Sequence, residues 1–568
     1  MKTAPHKTLL IGALLTLVFI SPAAVIGASF SPGARSAGDP YLTTLGNGGY
    51  DVQHYDLTIN YDPTANTMVS QADLTIRATQ DLSEFSLDLR GLPGATATLD
   101  GLAAGVVQQS DKLIVTPSVG IESNRVFHIV VQYSGRPRSI TDADGTIEGW
   151  LRIGSGAFVV GEPAGAMGWY PNNNTPSDKA TYAFHITVPT THTALGNGEL
   201  TSRIDLGDGT WTWNWRMDLP MASYLSTSTI GRFDYTNLVS TVASGASGKP
   251  LEFYNAFESA LSSAEKAALT TAAARQEGII RSMADQIGMP FPFDSHGVVL
   301  YRLSPGYSAI EIQTKTHFTS TPLHLPTLAH EIAHQWFGDG VGPDSWREVW
   351  FNEGWATWWE WHWDNRQNGN PISVQEQFAN NLNSNTDPTR WNTPPAQLSN
   401  ASQMFSNFPI YKRPAMMLEA FRQIVGNFTF FEVQRALIAE YAYRTITTAQ
   451  FIDLAKRLAR ERSGFPDSHL AKLDDFFQQW LYGVGKPALI PTTFFQQLAP
   501  RLALRAAGND QLEISWPPTE LRLVLEQSND ATSADWTPVQ ASATQTSAGT
   551  QVIVPTPTGI RFFRLRQV

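Results

Sequence analysis

Two histidines and two glutamates in this chain have the spacing of a catalytic metal site. His330 and His334 stand four residues apart, so on a helix both imidazoles lie on one face and can reach one ion. Glu353 supplies a third ligand, and a tetrahedral zinc ion then keeps its fourth position open for water. Glu331, beside the first ligand, remains available as a general base. These four residues predict a zinc hydrolase that binds one Zn2+ per chain.

The alternative interpretation is a chance match, in which a buried histidine pair binds no metal. The flanking residues favour the zinc site, because Leu328, Ile332 and Trp336 give the helix an apolar stripe. A distant carboxylate as third ligand, instead of a third histidine close by, also distinguishes this pattern from other types of zinc enzyme.

The composition is that of a folded protein with several domains. A length of 568 residues suggests about two to four domains. With 42% hydrophobic and 16% charged residues, the chain is not of the disordered class. The net charge of -11 argues against nucleic acid as a partner. The chain has no cysteine, so metal ligation is left to nitrogen and oxygen atoms.

Residues 1–28 have the pattern of an export signal. Lys2 and Lys7 precede an apolar run at 9–20, and small residues follow it. The run is too short for a comfortable membrane span, and an uncleaved anchor is the alternative interpretation. We therefore expect an exported protein, located in the periplasm, at the cell surface or outside the cell.

A β domain is predicted over residues 45–238. Apolar and polar residues alternate over 55–61, 73–78 and 85–89, which is typical of half-buried antiparallel strands. Turn sequences rich in glycine and asparagine separate such runs. The pattern predicts one large antiparallel domain.

Helical periodicity dominates residues 250–490, the predicted catalytic domain. Ser262 and Glu265 have the form of a capping box at the start of a helix over 264–287. Further helices are predicted over 326–337, from 352 onward, and over 414–425, 430–443, 448–462 and 473–482.

Residues 500–568 predict a small C-terminal β-sandwich module. Strand-like runs occur at 512–517, 521–527, 551–554 and 561–565, with proline- and threonine-rich turns between them. The module carries no catalytic constellation, so its expected role is that of a spacer or of a surface that binds another protein or a cell-surface component.

Several motifs in order resemble the zinc aminopeptidases of the aminopeptidase N type, a gluzincin family, and in particular its exported bacterial members. The likeness covers roughly 45–490 and rests on segments 329–339 and 346–354 together with landmarks at 50–57, 176–182, 196–200 and 220–225. The resemblance implies a multidomain α+β fold, with a β-saddle domain followed by a thermolysin-like, mostly helical catalytic domain. It also implies that zinc is held by His330, His334 and Glu353.

The resemblance implies three further site residues. Glu311 corresponds to the glutamate that binds the free α-ammonium group of the substrate, although the family's Gly-Ala-Met-Glu-Asn signature is altered around it. Tyr411 corresponds to the tyrosine that stabilises the oxyanion; the family reads Tyr-x-Lys/Arg-Gly, and here a proline replaces the glycine. Glu162 is a second candidate contact for the ammonium group. A solvated loop carboxylate for Glu311 and a packed aromatic for Tyr411 are the alternatives, and Asp339 is a candidate to orient a ligating imidazole.

The predicted function is a zinc aminopeptidase that removes N-terminal residues from peptides with a free N-terminus. A thermolysin-like endopeptidase is one alternative, since it shares the zinc ligands and the base. A surface binding protein whose fold has lost catalysis is the other alternative.

Overall fold

The computed structural model describes residues 29–303, 309–495, 501–517, 523–532, 535–546 and 549–567. The export-signal prediction for 1–28 lies outside the described residues. Within the described part of the chain, none of the helices has the length and apolar character needed to cross a membrane.

The N-terminal half is built on a large curved sheet of eleven strands. Its strands alternate buried and exposed residues, so one face packs into a core of aliphatic and aromatic side chains. In spatial order the strands are Ser31–Pro32, Leu82–Asp88, Lys112–Thr116, Leu102–Gln109, Thr96–Leu99, Val126–Gly135, Thr67–Ala78, Tyr50–Asp62, Lys179–Pro189, Thr210–Ala222 and Glu199–Asp205. Most neighbours are antiparallel as predicted, but two pairs are parallel: Tyr50–Asp62 with Lys179–Pro189, and Ser31–Pro32 with Leu82–Asp88.

A second sheet of five strands contributes the loop nearest to the metal motif. Its strands, in spatial order, are Thr193–Gly196, Ser228–Gly231, Gly156–Val160, Ile147–Ile153 and Ser139–Thr141. The loop after Gly156–Val160 carries Glu162.

The third sheet begins earlier than the predicted boundary at 238. Its strands, in spatial order, are Phe233–Ala243, Pro250–Glu258, Val298–Leu300, Thr316–Phe318 and Ala309–Ile310, and Ser295–His296 pairs beside Pro250–Glu258. Residue 238 therefore lies inside a strand of this sheet, and the change from the second sheet falls near Arg232. The edge strand Ala309–Ile310 leads directly to Glu311.

The helices of the catalytic half follow in chain order from this sheet. They are α1 Ser263–Ala273, α2 Arg275–Ile287, α3 Leu325–His334, α4 Val349–Gln367, α5 Val374–Ser384, α6 Arg413–Val425, α7 Asn427–Tyr441, α8 Thr448–Ser463, α9 Asp467–Phe477 and α10 Pro491–Phe494. The capping box of Ser262 and Glu265 is present. The single helix predicted over 264–287 is two helices that share Ala274 as a cap, and α3 ends at His334 instead of continuing to 337.

Tryptophan side chains fill the space around α3 and α4. Trp350, Trp355, Trp358 and Trp359 project all round α4 and are each fully buried. A helix that is apolar on every side must be surrounded by protein, and α4 packs against α3, α5 and α6. The two helices that carry the metal motif therefore lie inside the core.

The C-terminal module consists of two small sheets with a hydrophobic cluster of their own. One sheet contains Ala503–Gly508, Gln511–Trp516, Gly549–Pro555 and Ala543–Thr546, and the other contains Thr537–Pro538, Leu523–Ser528 and Phe562–Gln567. Ile514 and Val552 from the first sheet share a cluster with Leu525 from the second. The predicted fold class, a β domain, a mostly helical catalytic domain and a small C-terminal β module, is confirmed.

Candidate active site

Three side chains from α3 and α4 converge on one point. His330 Nε2 lies 3.2 Å from Glu353 Oε2, and His334 Nε2 lies 3.5 Å from the same oxygen. The candidate ligand atoms of these residues are all within 4.8 Å of one another. Zinc bonds of about 2.0–2.1 Å in a tetrahedral arrangement put neighbouring ligand atoms roughly 3.3 Å apart. The donor set and its spacing therefore fit one zinc ion.

The outer nitrogen of each imidazole has a fixed partner. His330 Nδ1 lies 3.2 Å from Glu360 Oε2, and His334 Nδ1 lies 3.2 Å from the carbonyl oxygen of Phe337. Such contacts orient the inner nitrogen toward the metal. The prediction that Asp339 orients a ligand is wrong, because Glu360 and the Phe337 carbonyl, and not Asp339, contact the outer nitrogens. Glu360 was missed, although it lies two helical turns after Glu353 on the same face of α4.

The ligands open into a cavity of about 210 Å3 that is rich in carboxylates. Its walls are formed by five glutamates (Glu162, Glu311, Glu331, Glu353 and Glu360), both ligating histidines, Tyr411, Thr327 and Ala309. No lysine or arginine is among these wall residues. Clustered carboxylates in a buried site repel one another unless cations join them. The cavity is therefore suited to a metal ion and to a cationic substrate group.

Glu331 is one of the residues that line this cavity. Its carboxylate is 5% exposed and shares a cluster with Glu311 and His334, whose candidate ligand atoms lie within 4.8 Å of one another. Burial raises the pKa of Glu331 to about 8, against the opposing effect of the two imidazoles. In its ionised form the Glu331 carboxylate is close enough to the ligating histidines to accept a proton from a water molecule bound beside them.

Glu162 and Glu311 present unpaired carboxylate oxygens beside the metal triad. Glu162 Oε1 and Glu311 Oε1 are both buried and make no hydrogen bond to any described residue. Carboxylate oxygens of Glu162, Glu311 and Glu353 lie within 4.8 Å of one another. Burial, together with the neighbouring carboxylates, raises the pKa of Glu162 well above its ordinary value. Burial also raises the pKa of Glu311, although the His334 imidazole opposes that shift.

Hydrogen bonds from both halves of the protein hold these two carboxylates in place. The buried carboxylate of Glu148 accepts 3.0 Å bonds from the amides of Ala164 and Gly165, which fixes the loop that carries Glu162. Gln335 follows the second histidine and connects the end of α3 to the segment at 311–314, which precedes that helix. Its Nε2 donates to the carbonyl of Glu311 at 3.3 Å, and its Oε1 accepts from the amide of Thr314 at 2.9 Å.

Tyr411 lies across the cavity in a π-helical turn, Asn407–Lys412, that leads into α6. Its ring stacks near the His330 imidazole, with centroids 6.1 Å apart and an angle of 23° between the planes. Burial and the surrounding carboxylates raise its pKa well above the ordinary value, so the phenol stays protonated and can donate a hydrogen bond. The structure thus brings together all seven site residues named from the sequence.

Comparison with known proteins identifies related sequences over both halves. The peptidase M1 N-terminal domain family matches residues 51–225, and the peptidase family M1 domain matches 276–480. Leucine aminopeptidase 2 of Vanderwaltozyma polyspora is 23% identical over 480 residues, which cover 79% of this chain and 68% of the relative. Leukotriene A-4 hydrolase of Xenopus laevis is 21% identical over 471 residues, which cover 78% of this chain and 73% of the relative.

A solved structure has a similar fold over most of this chain. The M1 zinc metallopeptidase of Deinococcus radiodurans, in a mutant form bound to Tyr-Ser-Ala, is 25% identical, with a TM-score of 0.70. The similarity covers 80% of this chain and 99% of that one. Because the two domains of a single family match in order and the metal ligands converge inside the second, the chain belongs to the M1 peptidase family.

Proposed function

We propose that this chain is a zinc-dependent aminopeptidase that removes the first residue from peptides with a free α-amino group. The pair of unpaired carboxylate oxygens on Glu162 and Glu311 is the observation that carries the proposal. A zinc triad alone would serve an endopeptidase equally well. Two buried anions beside the triad are suited to the ammonium group that marks the start of a peptide. The relatives that are named as aminopeptidases support the same conclusion.

The ammonium contact sets the register of the substrate. An α-amino group has a pKa of about 7.7–8.0 and is largely protonated at neutral pH. Its three N–H donors can be shared between Glu162, Glu311 and the edge of the metal site, since the carboxylate oxygens there lie within 4.8 Å of one another. Because these anions lie directly beside the metal ligands, the bond presented for hydrolysis is the first peptide bond.

The hydrolytic step is divided among the remaining site residues. His330, His334 and Glu353 would hold the zinc ion, which when bound would supply a Lewis acid for the scissile carbonyl and for a water molecule. Glu331 accepts the proton of the attacking water and then delivers it to the departing amine. Tyr411 donates its hydroxyl hydrogen to the carbonyl oxygen as negative charge develops there.

Selectivity for a free N-terminus is the first test of this function. A peptide with a free amino group is expected to lose its first residue, and its N-acetylated form to be cleaved at least about 100-fold more slowly, because acetylation leaves two buried carboxylates without a cation. Replacement Glu311→Gln should lower kcat/KM for the free peptide by at least about 30-fold. Product analysis by mass spectrometry, with initial rates, measures both effects.

The control for this test is Glu122→Gln, which removes an exposed carboxylate of the β domain and should leave kcat/KM unchanged within experimental error. Equal rates for the free and acetylated peptides would favour the endopeptidase interpretation. Absence of cleavage in a zinc-loaded sample would favour the binding-protein interpretation.

Cellular location and the role of the C-terminal module are further parts of the proposal. Lys2, Lys7 and the apolar run at 9–20 support export through a signal at 1–28. Residues 501–567 lie outside both matched family ranges and have a separate hydrophobic cluster. We propose that this module attaches the enzyme to a cell-surface component or to another protein.

A further inference from the structure

We propose that Arg413 is a positioning residue, which holds the Tyr411 hydroxyl in place by clamping the turn that carries it. The inference rests on the proposed function, in which Tyr411 stabilises the developing oxyanion. Arg413 is the first residue of α6 and stands two positions after Tyr411.

The guanidinium group of Arg413 is bound entirely by backbone carbonyls. Nε donates a hydrogen bond to the carbonyl oxygen of Trp480 at 2.9 Å. Nη1 donates to the carbonyl oxygens of Trp391 at 2.9 Å and Thr393 at 3.3 Å. Nη2 donates to the carbonyl oxygens of Gln479 at 2.9 Å and Gly483 at 2.7 Å. A guanidinium has five N–H donors, so every donor is engaged. The side chain is fully buried, and no ion pair joins it to a carboxylate of the described residues.

These contacts connect three separate pieces of chain. One is the start of α6, the second is the loop at 391–393, and the third is the π-helical turn Gln478–Tyr482 with Gly483 after it. A buried charge without a carboxylate partner is unfavourable unless hydrogen bonds compensate it fully. An arrangement of this kind gives rigid attachment, because moving any of the three pieces would break bonds to a buried cation.

Tyr411 depends on such an attachment, since its hydroxyl group makes no hydrogen bond to any described residue. The direction of its ring is set by the backbone of Asn407–Lys412 and by packing. Arg413 directly follows the last residue of this turn, and its hydrogen bonds anchor that end. At the other end, Phe408 packs edge-on against Trp391 with ring centroids 4.9 Å apart, and Arg413 also binds the carbonyl of Trp391. Both ends of the turn are therefore fixed to the same loop.

The contacts at the start of α6 also fix the distance between Tyr411 and the metal site. Pro414, directly after Arg413, packs so tightly on Gly354 that a Cβ atom at position 354 would lie 2.5 Å from the Pro414 Cβ. Gly354 is the neighbour of the ligand Glu353. The start of α6 is thus held against the metal-binding turn of α4 on one side and against Arg413's partners on the other.

Arg413→Lys is the direct test of this role. An ammonium group has three donors and cannot bind all five carbonyls. The turn should therefore become more mobile, and the Tyr411 hydroxyl group should no longer be held in its position. We expect kcat to fall at least about 10-fold, since a displacement of about 1 Å at a reacting group can cost as much as 100-fold. The KM should stay within about 3-fold and the zinc content should be unchanged, because Arg413 contacts neither the ammonium site nor a metal ligand.

A double-mutant cycle with Tyr411→Phe separates positioning from a general structural role. Once the hydroxyl group is absent, the position of the Tyr411 side chain no longer affects the oxyanion. Arg413→Lys in the Tyr411→Phe background should therefore lower kcat by less than about 2-fold. Arg422→Lys is the matched control, because Arg422 lies on the same helix, binds Glu419 at 2.7 Å and does not contact the turn. It should leave kcat nearly unchanged in both backgrounds.

Phe408→Leu provides a second route if Arg413→Lys fails to fold. It removes the aromatic contact with Trp391 at the other end of the turn and should lower kcat in the same non-additive way. Losses that multiply fully with Tyr411→Phe, or an unchanged kcat in both variants, would overturn the inference. The proposed function fails separately, if the wild-type chain releases no N-terminal residue. If Tyr411→Phe alone has no effect, the oxyanion role of Tyr411 fails, and with it this inference.

Discussion

Replacing Glu331 by glutamine is expected to lower kcat by about 100- to 10,000-fold while the chain keeps its zinc. The amide has nearly the same shape as the carboxylate, so the packing of α3 should be preserved. It cannot accept a proton from water at neutral pH, and the other wall carboxylates already bind the metal, contact the His330 imidazole or bind the ammonium group. Steady-state kinetics and metal analysis of the same preparation measure the two parts of this prediction.

Two controls make the Glu331→Gln result interpretable. Equal zinc content and thermal stability in variant and wild type would show that the site is intact, and Glu122→Gln again serves as the neutral surface exchange. A variant that retains activity within about 3-fold of wild type would show that some other group accepts the proton.

Tyr411→Phe is expected to lower kcat by about 100- to 1,000-fold with little change in KM. The phenylalanine keeps the ring that stacks near His330, so the structural change is limited to the hydroxyl group. That hydroxyl contributes mainly when the carbonyl oxygen becomes negatively charged, which is why the loss appears in kcat. Tyr441→Phe, at the end of α7, is the matched control and should behave as wild type. An unchanged kcat for Tyr411→Phe would place the oxyanion donor elsewhere.

The metal ligands were predictable from the sequence because their geometry is local. His330 and His334 share a face of one helix whatever the rest of the fold does, and Glu353 lies on the helix packed directly against it. Glu162 and Tyr411 lie far from these ligands in the chain, in a loop of the β domain and in a turn before α6. No spacing rule connects such positions, so they were accessible only through the resemblance to a family.

The supporting residues were not predictable in the same way. Glu360, Gln335 and Glu148 act through side-chain hydrogen bonds whose partners are set by tertiary packing. The same limit applies to Arg413, which matches the Lys/Arg position of the Tyr-x-Lys/Arg-Gly motif, because no local pattern indicates that its side chain is fully buried among carbonyls. The break between α1 and α2 and the early start of the third sheet also lack a strong local signal, since alanine suits both a helix interior and a cap position.

Zinc stoichiometry measured together with peptide cleavage tests the central claim most directly. The chain is stripped with a chelator, dialysed, and titrated with Zn2+ while release of the first residue is followed. We expect no cleavage by the stripped chain, full recovery at one zinc ion per chain, and no recovery by Glu353→Ala at the same zinc concentration. A stripped chain that still cleaves, or a Glu353→Ala variant that recovers fully with one equivalent, would contradict the account.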